Sequence, residues 1–267
     1  MNPAALAPQI DRLVWAVNGW ARSHEIDDAV IESVGFPAAA VGTFNNLVPF
    51  VDMLSEHFIL RRYIYRPPWE IREYVEELVA KGFLERQDDR LDPTDRLLPV
   101  IEELDQATRL AARHYWIDHR VTVEAAQGPV RRVLESSPER YGLAQAALAG
   151  RKPDDLFHRF HYRLAGLRLL RNEAHVEAWQ AHDLTADEIE ALTAAWAGTK
   201  AQTPLVLPRR LERRGLLVDG KVTEAGLELR EQIEADTNAG VGSAFSTIDQ
   251  TALLAALASL PPENLAE

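Results

Sequence analysis

Apolar side chains recur at helical spacing over most of the 267-residue chain, and only short runs alternate as strands do. Leu6, Ile10, Leu13 and Val17 form one stripe, which predicts a first helix over residues 4 to 22. Residues 27 to 34 form a second, ended by Gly35, and a third is predicted over 41 to 65 with a kink at Pro49. A long helix over 97 to 126 should stop at Gly128-Pro129, and residues 130 to 153 read as a helical connection. Asp154-Asp155 opens another long helix to about His182, and Thr185 with Glu188 makes a capping box for the next. A polar Gly/Ser/Asn stretch, 238 to 246, reads as a loop before a last helix over 249 to 260, which stops at Pro261-Pro262.

Two places break this helical rhythm in the same way. In "RRLERRGLLVDGKVTEAGLELREQIEADT", residues 209 to 237, Leu211 lies on a buried stripe with Leu207 and Leu205, and Gly215 ends the helix. Leu216-Leu217-Val218, Asp219-Gly220 and Lys221-Val222 spell a tight hairpin, and Thr223 caps the helix that follows. Residues 72 to 108 repeat the order: Lys81-Gly82 stands for Arg214-Gly215, Phe83-Leu84 for Leu216-Leu217, and the polar turn from Gln87 to Arg90 for Asp219-Gly220. There Asp92-Pro93 reads as the cap and first residue of the next helix. The fold class expected is therefore mainly α: tandem duplicated winged-helix units, long packing helices and two small β-hairpins. The two units should pack as a pseudo-dimer within one chain, divided into an N-terminal half (1–127), a connection (128–153) and a C-terminal half (154–267).

Composition narrows the chemistry. There is no cysteine, so disulfides, zinc–thiolate sites and thiol catalysis are excluded, and a cytoplasmic location is the expectation. No apolar run approaches the roughly 18 residues needed to span a bilayer, and no membrane partner is expected. The formal net charge of -12 disfavours nonspecific attraction to nucleic acid but leaves room for a local basic patch. Residues 199 to 221 supply one, with six basic side chains against two acidic. The matching helix of the first unit, "WEIREYVEELVA", carries four glutamates against one arginine and would repel phosphates. Double-stranded DNA therefore has one candidate surface: Arg209, Arg210, Arg213 and Lys221. Apolar "TPLVLP", with Pro204 and Pro208, stands where a recognition helix would meet bases, which suits those cations to phosphates or to salt bridges rather than to bases.

A second constellation lies in "DDLFHRFHYRLAGLRLLRNEAHVEAWQAHDL". His161, Arg168 and His175 are spaced seven and seven, so they share one helical face, and Arg171 lies a turn from both Arg168 and His175. A row of imidazoles and guanidiniums beside Phe157, Phe160, Leu164, Leu167 and Leu170 could line a pocket for a small anionic or oxygen-rich molecule. The guanidiniums would grip the anion, and His161 or His175 would hydrogen-bond or transfer protons. The row fits equally a polar face salt-bridged to acids such as Glu173 and Asp154, or to the other half of the molecule. His158, His161 and His175 lack the spacing of a carboxylate–histidine metal site, so no metal is expected. No P-loop, G-x-S-x-G or dinucleotide fingerprint is present, and no cofactor is implied.

These two stretches also carry a resemblance. "PDDLFHRFHYRLAGLRLLRNEAHVEAW" followed by the second hairpin unit resembles an actinobacterial family of helix-turn-helix, MarR-like proteins. In that family a P-D-D, a histidine, an L-R-x-x-R and a G-H-V-A-A-L precede a winged element ending T-x-x-G-x-x-L-R-x-x-I-E-x-x-T. The matching positions are His161, Leu167-Arg168, Arg171 and His175-Val176; Asn172-Glu173-Ala174 replaces the residues before the histidine, without the family's glycine. The resemblance spans about residues 143 to 237 and implies a MarR-like fold. Two functions follow from different classes: a small-molecule-responsive transcriptional regulator, or a winged-helix scaffold that binds or transforms a small molecule in specialised metabolism without touching DNA.

Overall fold

The structure is a computed structural model, and it describes residues 3–199 and 209–262. The stretch "TPLVLP" and the expected burial of Leu205 and Leu207 lie outside the described residues. Within them the protein is mainly α-helical, with two small two-stranded antiparallel sheets. Helices α1 (Ala7–Trp20), α2 (Asp28–Ser33), α3 (Val41–Asn45) and α4 (Glu56–Arg62) lead into α5 (Pro68–Ala80) and the hairpin β1 (Leu84–Gln87) and β2 (Arg90–Pro93). Then come α6 (Leu98–Trp116), α7 (Arg120–Glu135), α8 (Gly142–Ala149), α9 (Leu156–Ala181), α10 (Ala186–Ala197) and α11 (Arg209–Arg213). The second hairpin, β3 (Leu217–Val218) and β4 (Lys221–Val222), precedes α12 (Glu224–Phe245) and α13 (Gln250–Ala258).

The two helix–hairpin–helix units match bond for bond. After α5, Gly82 N–H donates to Val79 O and Phe83 N–H to Leu78 O, both at 2.9 Å; after α11, Gly215 N–H donates to Glu212 O and Leu216 N–H to Leu211 O, both at 2.9 Å. Both glycines hold positive φ, 72° and 70°, the left-handed conformation that this helix end needs. At the far end of each hairpin a threonine closes the loop. Thr94 N–H donates to Phe83 O and Thr223 N–H to Leu216 O, each at 3.1 Å; their hydroxyls donate to Gly82 O at 2.7 Å and Gly215 O at 2.6 Å. The first hairpin is longer, with four paired positions against two, and both turn through two residues, with Asp88 and Asp219 at positive φ.

Four boundaries differ from those expected, each for a physical reason. The predicted helix over 41–65 is broken: Pro49 sits in a 3-10 turn (Val48–Met53), Leu54 is extended and Ser55 caps α4 afresh through Phe58 N–H. The break in the long central helix falls at the 3-10 turn Ile117–His119, and α7 runs straight through Gly128-Pro129. Val130, Val133 and Leu134 are fully buried beyond the proline, so packing outweighs the lost hydrogen bond. The expected junction after residue 127 therefore lies inside α7. Asp92 and Pro93 belong to β2, and α6 starts later, at Leu98, without a side-chain cap. Residues 238–245 continue α12, because Thr237, Val241, Ala244 and Phe245 are buried at helical spacing.

The core has three parts. One is built by α1, α6, α7, α9, α12 and α13 around Trp116 and Phe160. A second holds the first unit, from Ile31 to Leu104, and a third holds the second unit against the end of α9. Helix α9 is the common axis: α12, α8, α7 and α1 all pack on it. No helix among the described residues is long and apolar enough to cross a membrane.

Candidate functional site

A helix buried on most of its circumference encloses whatever polar groups it carries, and α9 is such a helix. Asp155 caps it by accepting from Phe157 N–H and His158 N–H, and Arg113 holds that carboxylate at 2.8 Å. Its 26 residues span about 39 Å. Phe157, Phe160, Leu164, Leu167, Leu170 and Ala174 supply apolar contacts on several faces. The His/Arg row therefore has to find partners inside the molecule.

It faces a cavity of about 450 Å3 between α9, α1 and the segment from α3 to just past α4. His161, Arg168, Arg171 and His175 all line it, together with Asp11, Trp15, Arg62, Tyr63 and Arg66 from the N-terminal side. The size is within the range of small-molecule sites. Four guanidiniums and one carboxylate, Asp11, stand on the wall. The acids that meet the row are not Glu173 or Asp154. Arg168 Nε donates to Asp11 at 2.7 Å, and its guanidinium lies 4.4 Å above the half-exposed Trp15 ring. Arg171 pairs with Glu234 at 2.5 Å, and His175 Nδ1 lies 3.1 Å from Thr237 Oγ1. Glu173 instead pairs with Arg61.

Electrostatically the two imidazoles behave alike. Burial pulls the His161 pKa down to about 3 and that of His175 to about 4, so both are neutral near pH 7. Arg230 and Arg171 push His175 further down, and Glu234 opposes them. Glu234 itself ends below its usual range: burial raises it, but Arg171 and Arg230 outweigh burial. His161 is 3% exposed and its Nδ1 has no hydrogen-bond partner. Tyr162 on the same wall donates to Asp105 at 2.6 Å. No group of three or more His, Asp or Glu side chains among the described residues is placed to hold a metal ion. The arrangement can neutralise an anion and hydrogen-bond to it.

The cations of the second unit divide. Arg210 is tied to Asp183 and to Glu188, the latter at 3.2 Å, and Arg214 donates to the carbonyls of His182 and Asp183. These two clamp the corner between α9 and α10, so Arg210 is occupied where the sequence suggested a DNA contact. Arg209, Arg213 and Lys221 are exposed and without ion pairs among the described residues. On α5 the acids are largely paired, Glu70 with Arg66, Glu76 with Arg86 and Glu77 with Lys81.

Sequence reasoning expected aromatic or leucine side chains of the N-terminal half on the cavity wall and missed the arginines there. Their signal was present in "HFILRRYIYRPP", residues 57 to 68, where arginines and tyrosines interleave at the end of α4. It also missed that the two resembling motifs touch. The R-x-x-R and histidine of α9 meet Glu234 and Thr237 of α12, which stand at the E and final T of the second motif.

A helix, a glycine stop, a hairpin and a capped helix, packed on a long central helix, define a helix-turn-helix architecture. The model of the helix-turn-helix family matches residues 102–264, more than half of the chain, and the protein belongs to that family. No curated protein and no solved structure matches it.

Proposed function

We propose that the protein is a MarR-like regulator built from two duplicated winged-helix units, which binds a small anionic or oxygen-rich molecule in the cavity on α9. Arg209, Arg213 and Lys221 of the second unit are its contacts to double-stranded DNA, chiefly to phosphates. The observation that carries this reading is the link between cavity and basic unit. Arg171 and His175 stand on the cavity wall, and each is bound to α12, the helix that leaves the second hairpin, through Glu234 and Thr237. A ligand that competes for Arg171 changes the seating of α12, and α12 carries the basic unit. Membership of a helix-turn-helix family supports the DNA half of the reading.

One observation favours a second reading, a small-molecule-binding protein without DNA contact. Arg210 and Arg214 serve the α9–α10 corner, which halves the free cations of α11 and its flank. Fluorescence anisotropy on duplex DNA at low salt separates the two. In the regulator, Arg209→Ala with Arg213→Ala lowers affinity about tenfold for every sequence and reduces the salt slope by about 2. No measurable binding by the parent leaves the second reading standing.

A further inference from the structure

The guanidiniums on the cavity wall are not equivalent. Arg168, Arg171 and Arg66 are each met by a carboxylate: Asp11, Glu234 and Glu70. Arg62 is met by none among the described residues. Its Nε is sealed from solvent without a hydrogen bond, while the residue keeps partial accessibility where it lines the cavity. Burial lowers its pKa, the charge interaction with the Tyr63 phenol group opposes that, and Arg168 adds to the lowering. A guanidinium stays protonated regardless, so an uncompensated positive charge stands in a low-dielectric site. On the same wall His161 Nδ1 is buried and unpartnered. Arg62 and His161 therefore line one space, and each carries a nitrogen that folding leaves unsatisfied.

We propose that Arg62 anchors a single carboxylate group of an otherwise apolar ligand, with His161 hydrogen-bonding a further oxygen; this rests on the cavity reading above and names its ligand class. Arg62 is the wall guanidinium with no carboxylate partner among the described residues, and Arg171 shares Glu234 with the buried Arg230. Both histidines are neutral, so Arg62 itself calls for one negative charge. A phosphate dianion would keep a second charge uncompensated. The planar fork of arginine matches the two oxygens of a carboxylate. The remaining walls are apolar where Ile10, Val14, Phe50, Leu167, Val241 and Phe245 line them, which suits an aromatic or aliphatic body. Arg168 over Trp15 is committed to Asp11, and it frames the space without supplying the free charge.

The test is calorimetry on the full chain with naphthoate, naphthamide and naphthyl phosphate as probes. The expected order is naphthoate about tenfold tighter than the amide, with the phosphate ester no tighter than the carboxylate. Arg62→Met should erase the preference for naphthoate, so that acid and amide bind alike, and Arg62→Lys should keep part of the preference. Unliganded Arg62→Met should melt roughly 2–4 °C higher than the parent, because an unpaired buried charge has gone. A preference that survives in Arg62→Met, or tighter binding of the phosphate ester, overturns the anchor while leaving the cavity reading in place. A lower melting temperature or loss of helical circular dichroism in Arg62→Met makes Arg62 structural and also overturns it. If none of the three probes binds the parent, the cavity reading itself fails.

Discussion

The first and second helix–hairpin–helix units share the backbone bonds that end the first helix and close the hairpin, yet they dispose their cations differently. In the first unit the three arginines that precede α5 turn inward, Arg61 reaching Glu173 on α9 and Arg62 and Arg66 lining the cavity. Arg72 on α5 and Arg86 and Arg90 of the hairpin are tied to surface acids. The exposed face of α5 carries Glu73, Glu76 and Glu77 against Arg72 alone. In the second unit the arginines sit on and after α11, and Arg209 and Arg213 face outward. One local motif thus presents a charge reversal on its outer helix without any change in the backbone bonds of its glycine stop. Backbone geometry sets the fold of such a unit, and side-chain charge decides what approaches it. The functions proposed above follow that division, with the small molecule beside the first unit and the phosphates at the second.

The sharpest way to strain the comparison is at the residue three after each closing threonine. In the first unit it is Leu97, fully buried; in the second it is Gly226. A Cβ at Gly226 would lie 2.3 Å from Leu216 O and 2.8 Å from Val222 Cγ2, so α12 presses directly on the hairpin backbone. Gly226→Leu, which makes the second unit read like the first, should cost roughly 3 kcal/mol or more, since backbone cannot yield as a side chain can. Denaturant unfolding measures it. A loss within about 1 kcal/mol of zero would mean that the second hairpin does not rest on α12 as described.

That contrast also shows what could be read without coordinates. Both hairpins, the glycine stops, Thr223, Asp155 and the Thr185–Glu188 box were legible because each is a local rule written in adjacent residues. The run through Gly128-Pro129 and the helical course of 238–245 were not, because distant burial overrides local breakers there. The four row residues on α9 were legible as a face from their spacing. Their carboxylates were not, since Asp11 and Glu234 lie 157 and 63 residues away in sequence. Arg62 was missed for the same reason: nothing local says that a lone arginine lacks a partner. Arg210 looked free in sequence because its acids belong to another helix and its corner.

Acid tests the inward side of the comparison. His161 has a folded-state pKa near 3 against an ordinary value of 6.5, with burial as the main cause and His158 adding to it. Below pH 6.5 the unfolded chain takes up a proton that the folded chain refuses. Stability is thus full above pH 6.5 and falls as pH drops, at about 1.4 kcal/mol per pH unit, until pH nears 3. From pH 6.5 to 5 this residue alone should remove roughly 2 kcal/mol. His175 adds to the loss down to about pH 4, where it faces Arg171 on its own helix and Arg230 and Glu234 on α12. His161→Gln should lessen the dependence by close to one proton in that window. An unchanged slope would place His161 in contact with solvent and remove it from the sealed wall.

The smallest effect separates the two closing threonines. Each donates its hydroxyl to the carbonyl of the helix-ending glycine, Thr94 to Gly82 and Thr223 to Gly215. Only Thr223 also accepts an amide, from Gly226 at 3.1 Å, because α12 begins at the next residue. After Thr94 the chain makes one more turn, in which Leu97 N–H bonds to Thr94 O, and α6 starts at Leu98 without a side-chain cap. Thr94→Ala therefore loses one hydroxyl hydrogen bond, worth about 1 kcal/mol. Thr223→Ala loses the same bond and a helix cap, for about 2 kcal/mol. Serine at either position keeps the hydroxyl and should recover most of the difference. Equal losses at the two sites, measured by denaturant midpoints at a constant slope, would show that the cap on α12 contributes nothing and that the units differ only in their outward charge.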